Sequence, residues 1–393
     1  MPRNFFQDPY EFYRVLNEKG SFHPVVLGNG MRAWLVTGFG VAAELLRNPA
    51  LCKDARTTAG IAARSGAGRS GATTVSGGIT AHMLNSDPPN HTRLRRIVSS
   101  AFTPVRVAAL RPRVVEIADA LLDDMAQVEG GALDLIEHYA APIPITVICE
   151  LLGVPADDRR MFRKWTNSVI DVLVGDADAV GRDSRSLEQY LRALVDERRR
   201  SPRDDLISAV IAAGSADERL SDAELVSTVF LILVAGHETT VNLIANAALT
   251  VADGTVSARR ALESPERLVE ESLRHNGPVN VATLRYAAED IPTGSHTISR
   301  GEVVLIALAA ADRDEKRFAC PDVFDLDRET RGHLAFGGGI HQCLGAGLAR
   351  MEGSVAIREL VTRFPGIGLA EPMGRWRASM LIRGLDRLMV TLE

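Results

Sequence analysis

His333-Leu-Ala-Phe336-Gly-Gly-Gly339-Ile-His341-Gln-Cys343-Leu-Gly345 is the stretch on which the fold turns. Three consecutive glycines allow backbone geometries closed to other residues and let a flat ligand approach the chain closely. The residues that follow, LGAGLARMEGSVAIRELVTRF (344–364), carry apolar side chains at helical spacing. Cys343 therefore falls at or just before a helix N-terminus, where aligned peptide dipoles and free amides favour thiolate over thiol. On these residues alone, a single cysteine beside glycines is more often structural than chemical. Zinc is a second possibility, since His341 and Cys343 lie close. No further Cys/His pair at finger-like spacing completes a tetrahedral set, because Cys52, Cys149 and Cys320 are scattered.

The chain around this segment has 393 residues, 46% hydrophobic and 24% charged, with a net charge of -5. That composition is ordinary for a globular protein with a large core. It gives no global attraction to nucleic acid or an anionic membrane. The opening MPRNFFQDPYEFYRVLNEKG has no signal-like apolar stretch. The longest apolar runs, Leu225–Gly236 and Val303–Ala311, fall short of the roughly 18 residues that a membrane span needs. A reduced, cytoplasmic setting is expected, with no nucleic-acid or membrane partner.

Most of the sequence reads helical. Arg111–Val128 and Leu187–Arg200 repeat apolar residues at helical spacing, the second ending in a basic cluster that suits a helix C-terminus. Ser221-Asp-Ala-Glu224 is a capping box. A long apolar helix follows it to about Leu249, roughly 40 Å at 1.5 Å per residue. Strand signals are few and late, at Thr283–Tyr286, Glu302–Ile306 and Leu388–Leu392. Residues 57–80, TTAGIAARSGAGRSGATTVSGGIT, lack apolar periodicity and read as a mobile loop near the substrate entry.

Midway along the long helix stands Ala235-Gly236-His-Glu238-Thr239-Thr240. Glycine and threonine are poor residues for a helix interior, and threonine hydroxyls bond back to carbonyls one turn earlier. His237-Glu238 invites a zinc-protease reading, but the second histidine that this motif needs four residues on is Val241. Two further patterns stand out. Glu271 and Arg274 lie i, i+3 on one helix face. His91 and Arg95, in DPPNHTRLRR (87–96), lie i, i+4 on another and would suit carboxylates.

The pattern Phe336-x-x-Gly339-x-x-x-Cys343-x-Gly345 resembles the haem-binding signature of the cytochrome P-450 family, with every fixed position present. The resemblance spans nearly the whole chain, about Asp8 to Leu392. It implies a mainly α fold, a single triangular cytochrome P-450-type domain over residues 1–393 with a small β content. It implies haem b, with Cys343 as the thiolate ligand of the iron, a thiolate whose electron density favours O–O cleavage. Phe336 would pack near the sulfur, and His91, Arg95, Arg285 and His341 would contact the haem propionates. Ala235 and Gly236 would leave room for dioxygen, Thr239 would position water, and Glu238 would gate proton entry. Glu271, Arg274 and Arg328 match a buried structural charge network. Leu231, Ala235, Val279, Val281, Thr283, Met380 and Leu381 match substrate-lining positions.

The reaction so implied is insertion of one atom of O2 into a small organic substrate, a natural-product intermediate by the same resemblance. Electrons would come from a separate ferredoxin and ferredoxin reductase, because only about 50 residues follow Cys343. Arg93 and Arg96 are candidates for receiving an acidic electron-transfer partner. Competing readings are oxidative coupling, desaturation or peroxide-driven oxidation on the same haem, a non-catalytic haem carrier or sensor, and a zinc hydrolase. Two departures from the family pattern are Asp312, where asparagine is frequent, and Gly277-Pro278, where Pro-Pro is frequent.

Overall fold

The computed structural model describes residues 4–27, 30–54, 75–128, 130–170, 177–213, 219–294 and 296–392. Most of the loop expected over 57–80 lies outside these residues. Its described end, from residue 75, forms a single 3-10 turn at Gly77–Ile79.

Helix α1 (Pro9–Lys19) is capped by the Asp8 carboxylate and leads into a five-stranded sheet. Its strands are β1 (Phe22–Val26), β2 (Arg32–Val36), β3 (Leu51–Cys52), β4 (Arg285–Ala287) and β5 (Val303–Ile306), in the order β1-β2-β5-β4-β3. β2 and β5 run parallel, with Trp34 opposite Val304 and Val36 opposite Ile306. The other pairings are antiparallel. All four residues of β5 are buried, so this strand reads as an unbroken apolar run, as expected of a central strand. β1 and β2 escape a sequence reading because Pro24 and alternating burial disguise them. β1 pairs with β2 as a local hairpin, and β2 in turn pairs with β5, some 270 residues away.

Two smaller sheets, one of Ala132–Asp134, Met389–Thr391 and Gly368–Leu369 and one of Ile291–Pro292 and Thr297–Ile298, complete the strands. The longer helices are α2 (Asn90–Ala101), α3 (Arg111–Ala126), α4 (Pro142–Leu152), α5 (Arg159–Ile170), α6 (Ala177–Arg200), α7 (Asp222–Ala252), α8 (Pro265–Asn276) and α9 (Ala346–Arg363). The 31-residue α7 starts at a complete Ser221/Glu224 capping box and spans about 46 Å. It is long and apolar enough to cross a membrane, but 72% of its most apolar window is buried inside the protein. An all-round apolar helix of this kind is a core helix. Its first half packs with α4, α5 and α6 in one apolar cluster. Its second half packs with α3 and α9 in another. The Ala235–Thr240 notch lies between the two.

Beside α8, Glu271 and Arg274 pair at 2.5 Å with almost no exposure. Arg328 joins Glu271 at 3.2 Å. Both arginines spend their remaining donors on carbonyls: Arg274 on Pro321 and Val323, Arg328 on Ala319 and Cys320. A buried ion network is tolerable when its hydrogen bonds are satisfied in this way.

Asp312 lies near this network, with its carboxylate accepting the Leu334 N–H at 2.7 Å. Burial pushes its acid up to about 7, against His333, the Leu334 amide and Arg274. Between about pH 4 and pH 7 the folded chain keeps a proton that the unfolded chain has lost, so stability falls as pH rises. Asp312→Asn keeps the acceptor and removes the titration. It should raise unfolding stability at pH 8 by up to about 3 kcal/mol, and change little at pH 4, in urea melts across that range.

Candidate active site

The cysteine loop is built by its own backbone. Gly337 N–H donates to Leu334 O at 2.7 Å, Gln342 N–H to Gly339 O at 3.1 Å, and Cys343 N–H to Phe336 O at 2.9 Å. Gly337 and Gly339 both sit at φ +68°. At Gly339 a side chain is also excluded by contact, since a Cβ would lie 2.4 Å from the Leu46 carbonyl oxygen. Gly345 caps α9, which puts Cys343 two residues before the cap. Phe336 packs against the cluster of Leu243, Val269, Leu273 and Ala335. The Arg350 guanidinium lies 4.5 Å from its ring centroid and pairs with Glu270.

Cys343 is exposed to the cleft, yet the surrounding wall dehydrates its sulfur. Burial pushes the thiol up, while the Gly345 amide, Arg95 and Arg350 pull it down. The helix start alone therefore does not make the thiolate, as the sequence suggested it would. Coordination to a metal ion does so outright.

Across the cleft, α7 opens at Ala235 and Thr239, four residues apart and so on one face. The Thr239 hydroxyl donates to Ala235 O at 2.9 Å, and that of Thr240 to Gly236 O. Gly236 does not share this opening: a Cβ there would lie 2.8 Å from Ile148 Cδ1 of α4. Its role is close helix packing, not room for dioxygen. His237 is buried and internally bonded, Nδ1 to Leu233 O at 2.8 Å and Nε2 to Thr166 Oγ1 at 3.1 Å. Glu238 is 3% exposed. Its carboxylate meets Arg377 at 3.1 Å, and its carbonyl accepts the Asn242 amide at 2.7 Å. No local pattern announces Arg377, which lies 139 residues from its partner.

A cationic wall completes the cleft. His91, from α2, is 2% exposed. It has no hydrogen-bond partner on either ring nitrogen among the described residues, and the same holds for His341 Nε2 and Arg285 Nε. The His91 and His341 rings touch edge to face at 4.5 Å. Arg95 ties α2 to the cysteine loop, donating to Gln342 O at 2.8 Å. Lys53, which the sequence did not single out, is buried here and meets the Thr283 hydroxyl. Burial and Arg285 push Lys53 down to about 7, and burial brings Arg285 to about 10. Burial together with Lys53, His91, Arg285 and Arg95 holds His341 near 2. The nearest carboxylate, Asp87, is engaged by the Lys53 and Asp54 amides. Buried donors without acceptors, crowded by like charge, fit a ligand that brings carboxylates. A haem, with two propionates, would meet that need, and the open sulfur of Cys343 would bind its iron.

The expected substrate-lining residues divide. Val279, Thr283, Met380 and Leu381 are half-buried, Val279 bridges Ile382 as a strand-like pair, and Met380 packs on the apolar cluster that includes Val281. Val281 does not line the cleft. At 3% exposure it joins the apolar cluster of Phe5, Tyr13, Leu35 and Val303 behind the wall. Leu231 is likewise 8% exposed and closed off. Arg93, expected to face a partner protein, instead pairs with Glu224 and Asn90.

A sequence model described as Cytochrome P450 matches residues 251–365. Cytochrome P450 107B1 of Saccharopolyspora erythraea is 42% identical over 98% of this chain and 95% of its own. The 6-deoxyerythronolide B hydroxylase of the same organism is 40% identical over 99% and 97%. The solved structure of the tirandamycin C-bound P450 monooxygenase TamI superposes with a TM-score of 0.90, at 38% identity over 100% of this chain and 99% of that one. Close relatives over full length share the fold and the haem-thiolate chemistry that the cleft is shaped to hold, with O2 as co-substrate. The chain belongs to the cytochrome P450 family and is a monooxygenase of it.

Proposed function

We propose that this enzyme hydroxylates a natural-product intermediate of the polyketide or macrolide kind, in the cytoplasm, with electrons from a ferredoxin and its reductase. The substrate class is supported by the relatives, among them a 6-deoxyerythronolide B hydroxylase and a P450 bound to tirandamycin C. The observation that carries the site reading is the wall of unpartnered donors, His91, His341 and Arg285, beside the open sulfur of Cys343.

Haem bound through Cys343 supplies activation of O2 and its insertion into the substrate. The chain's own residues do the rest. Arg285, His91 and His341 take up the propionates, and Arg95 braces the loop that carries the sulfur. Ala235, exposed on α7, would leave room for dioxygen. The Thr239 hydroxyl already donates to Ala235 O, so its lone pairs remain free to accept from a water and orient it. Glu238, one residue back and behind the helix face, is the acid that passes protons to that water.

The ferredoxin reading is supported by charge. From Asn90 to Val115 there are six arginines and no acidic residue. The helix at the start of that stretch touches the cysteine loop through Arg95. Arg96 is exposed there, whereas Arg93 is engaged with Glu224.

Each part has its own measurement. Arg285→Gln and His91→Phe should each speed haem transfer to excess apomyoglobin, by about tenfold if one charged hydrogen bond of 1.5 kcal/mol is lost. Thr239→Val should lower product formed per reduced nicotinamide consumed by about tenfold or more, with peroxide rising in place of product. Retained coupling would remove Thr239 from its role. Arg96→Glu should slow reduction by an acidic ferredoxin and flatten its salt dependence in stopped-flow traces. Unchanged rates would move the docking site elsewhere.

A further inference from the structure

Glu238 is assigned above to proton supply, but its geometry gives it a second connection. Arg377, which meets it at 3.1 Å, stands at the neck of a hairpin. Trp376 bridges Leu385, and Arg377 N–H donates to Gly384 O at 2.9 Å. The tip of that hairpin carries Met380 and Leu381, two of the residues that the family resemblance places against the substrate. The tip is in turn stitched to the opposite lining segment: Asn280 N–H donates to Leu381 O, and Arg383 N–H to Pro278 O, both at 2.8 Å.

The hairpin touches α7 on three successive turns. One contact is Arg377 on the Glu238 carboxylate. The next is Gly384, so close to Asn242 that a Cβ would fall 1.7 Å from its side-chain oxygen. The third is Asn246, whose side-chain amide donates to Arg383 O at 3.3 Å. Asn242 itself donates to the Glu238 carbonyl. Arg377 and Glu238 are 19% and 4% exposed as side chains, so their attraction is poorly screened compared with a surface pair. Breaking it leaves a largely buried carboxylate without its arginine, with the His237 ring 3.8 Å away.

We infer that the Glu238–Arg377 ion pair is a clasp that fixes the substrate-facing hairpin against the oxygen-side helix, making Arg377 a positioning residue for pocket shape and acid together. The inference deepens the proposed function and rests on it, with Met380 and Leu381 as the substrate-facing residues that the family resemblance implies. Its consequence is that the wall that selects a substrate and the acid that supplies protons move as one unit.

The test needs no identified substrate. Haem-loaded protein is titrated with imidazole, which fills little of the cleft, and with 4-phenylimidazole, which reaches its walls. The Soret shift gives each Kd. In Arg377→Gln and in Glu238→Gln the ratio of the two constants should move by about tenfold, with imidazole binding unchanged. The double variant should move it no further, because both changes break the same contact. Arg377→Lys should restore most of the wild-type ratio. Gly384→Ala, which pries the same neck off Asn242, should shift the ratio too, and it serves if Arg377→Gln does not fold. An unmoved ratio in the folded variants, or effects that add in the double variant, would overturn the clasp. The proton role is read separately, from product formed per reductant consumed in Glu238→Gln. A loss there with an unmoved ratio leaves the acid reading standing and the clasp refuted. A moved ratio with full coupling does the reverse.

Discussion

The rest of the molecule depends on a close backbone approach. Gly339 lies against the Leu46 carbonyl, and the loop it belongs to closes by the Cys343 N–H on Phe336 O. Any side chain at Gly339 would collide with backbone, which cannot move aside as a flexible side chain can. That contact ties the N-terminal sheet region to the start of α9 and aims one sulfur into the cleft. The charge network of Glu271, Arg274 and Arg328 holds the segment that leads into this loop, with Arg274 reaching the Asp312 carbonyl and Asp312 holding Leu334.

Opposite the sulfur, α7 reconciles two demands. It is buried along most of its length, where its packing joins two apolar clusters, yet it must present a polar opening. It does both by placing the opening where the clusters part. Gly236 lets α4 come close on one side, and Ala235 with Thr239 faces the cleft on the other. His237, buried behind them, finds its partners in Leu233 and Thr166. The polar groups of the notch are thus satisfied without closing it, which is the condition for keeping them in a core.

Much of this was legible in the sequence. The cysteine loop could be read because local rules govern it: glycines where φ is positive, a helix that starts just after the sulfur. The α7 capping box and the i, i+3 pair of Glu271 and Arg274 are local as well. What could not be read depends on residues distant in the chain. Lys53 has no periodic context and matters only because folding brings it to Thr283 and Arg285. Arg377 is a surface-like arginine until the hairpin sets it against Glu238. Gly236 and Val281 were placed at the cleft by the family resemblance, but Gly236 sits against Ile148 of α4 and Val281 is buried in the core. The strand β2 likewise gains a partner in β5, far along the chain.

Every function assigned here presumes a bond between the Cys343 sulfur and haem iron. The most direct measurement is the absorption spectrum of the purified, haem-loaded protein reduced under carbon monoxide. The account predicts the long-wavelength Soret band of thiolate-ligated haem, lost in Cys343→Ser while the fold is retained. A folded, haem-loaded wild-type protein whose band lies where histidine-ligated haem absorbs would contradict it.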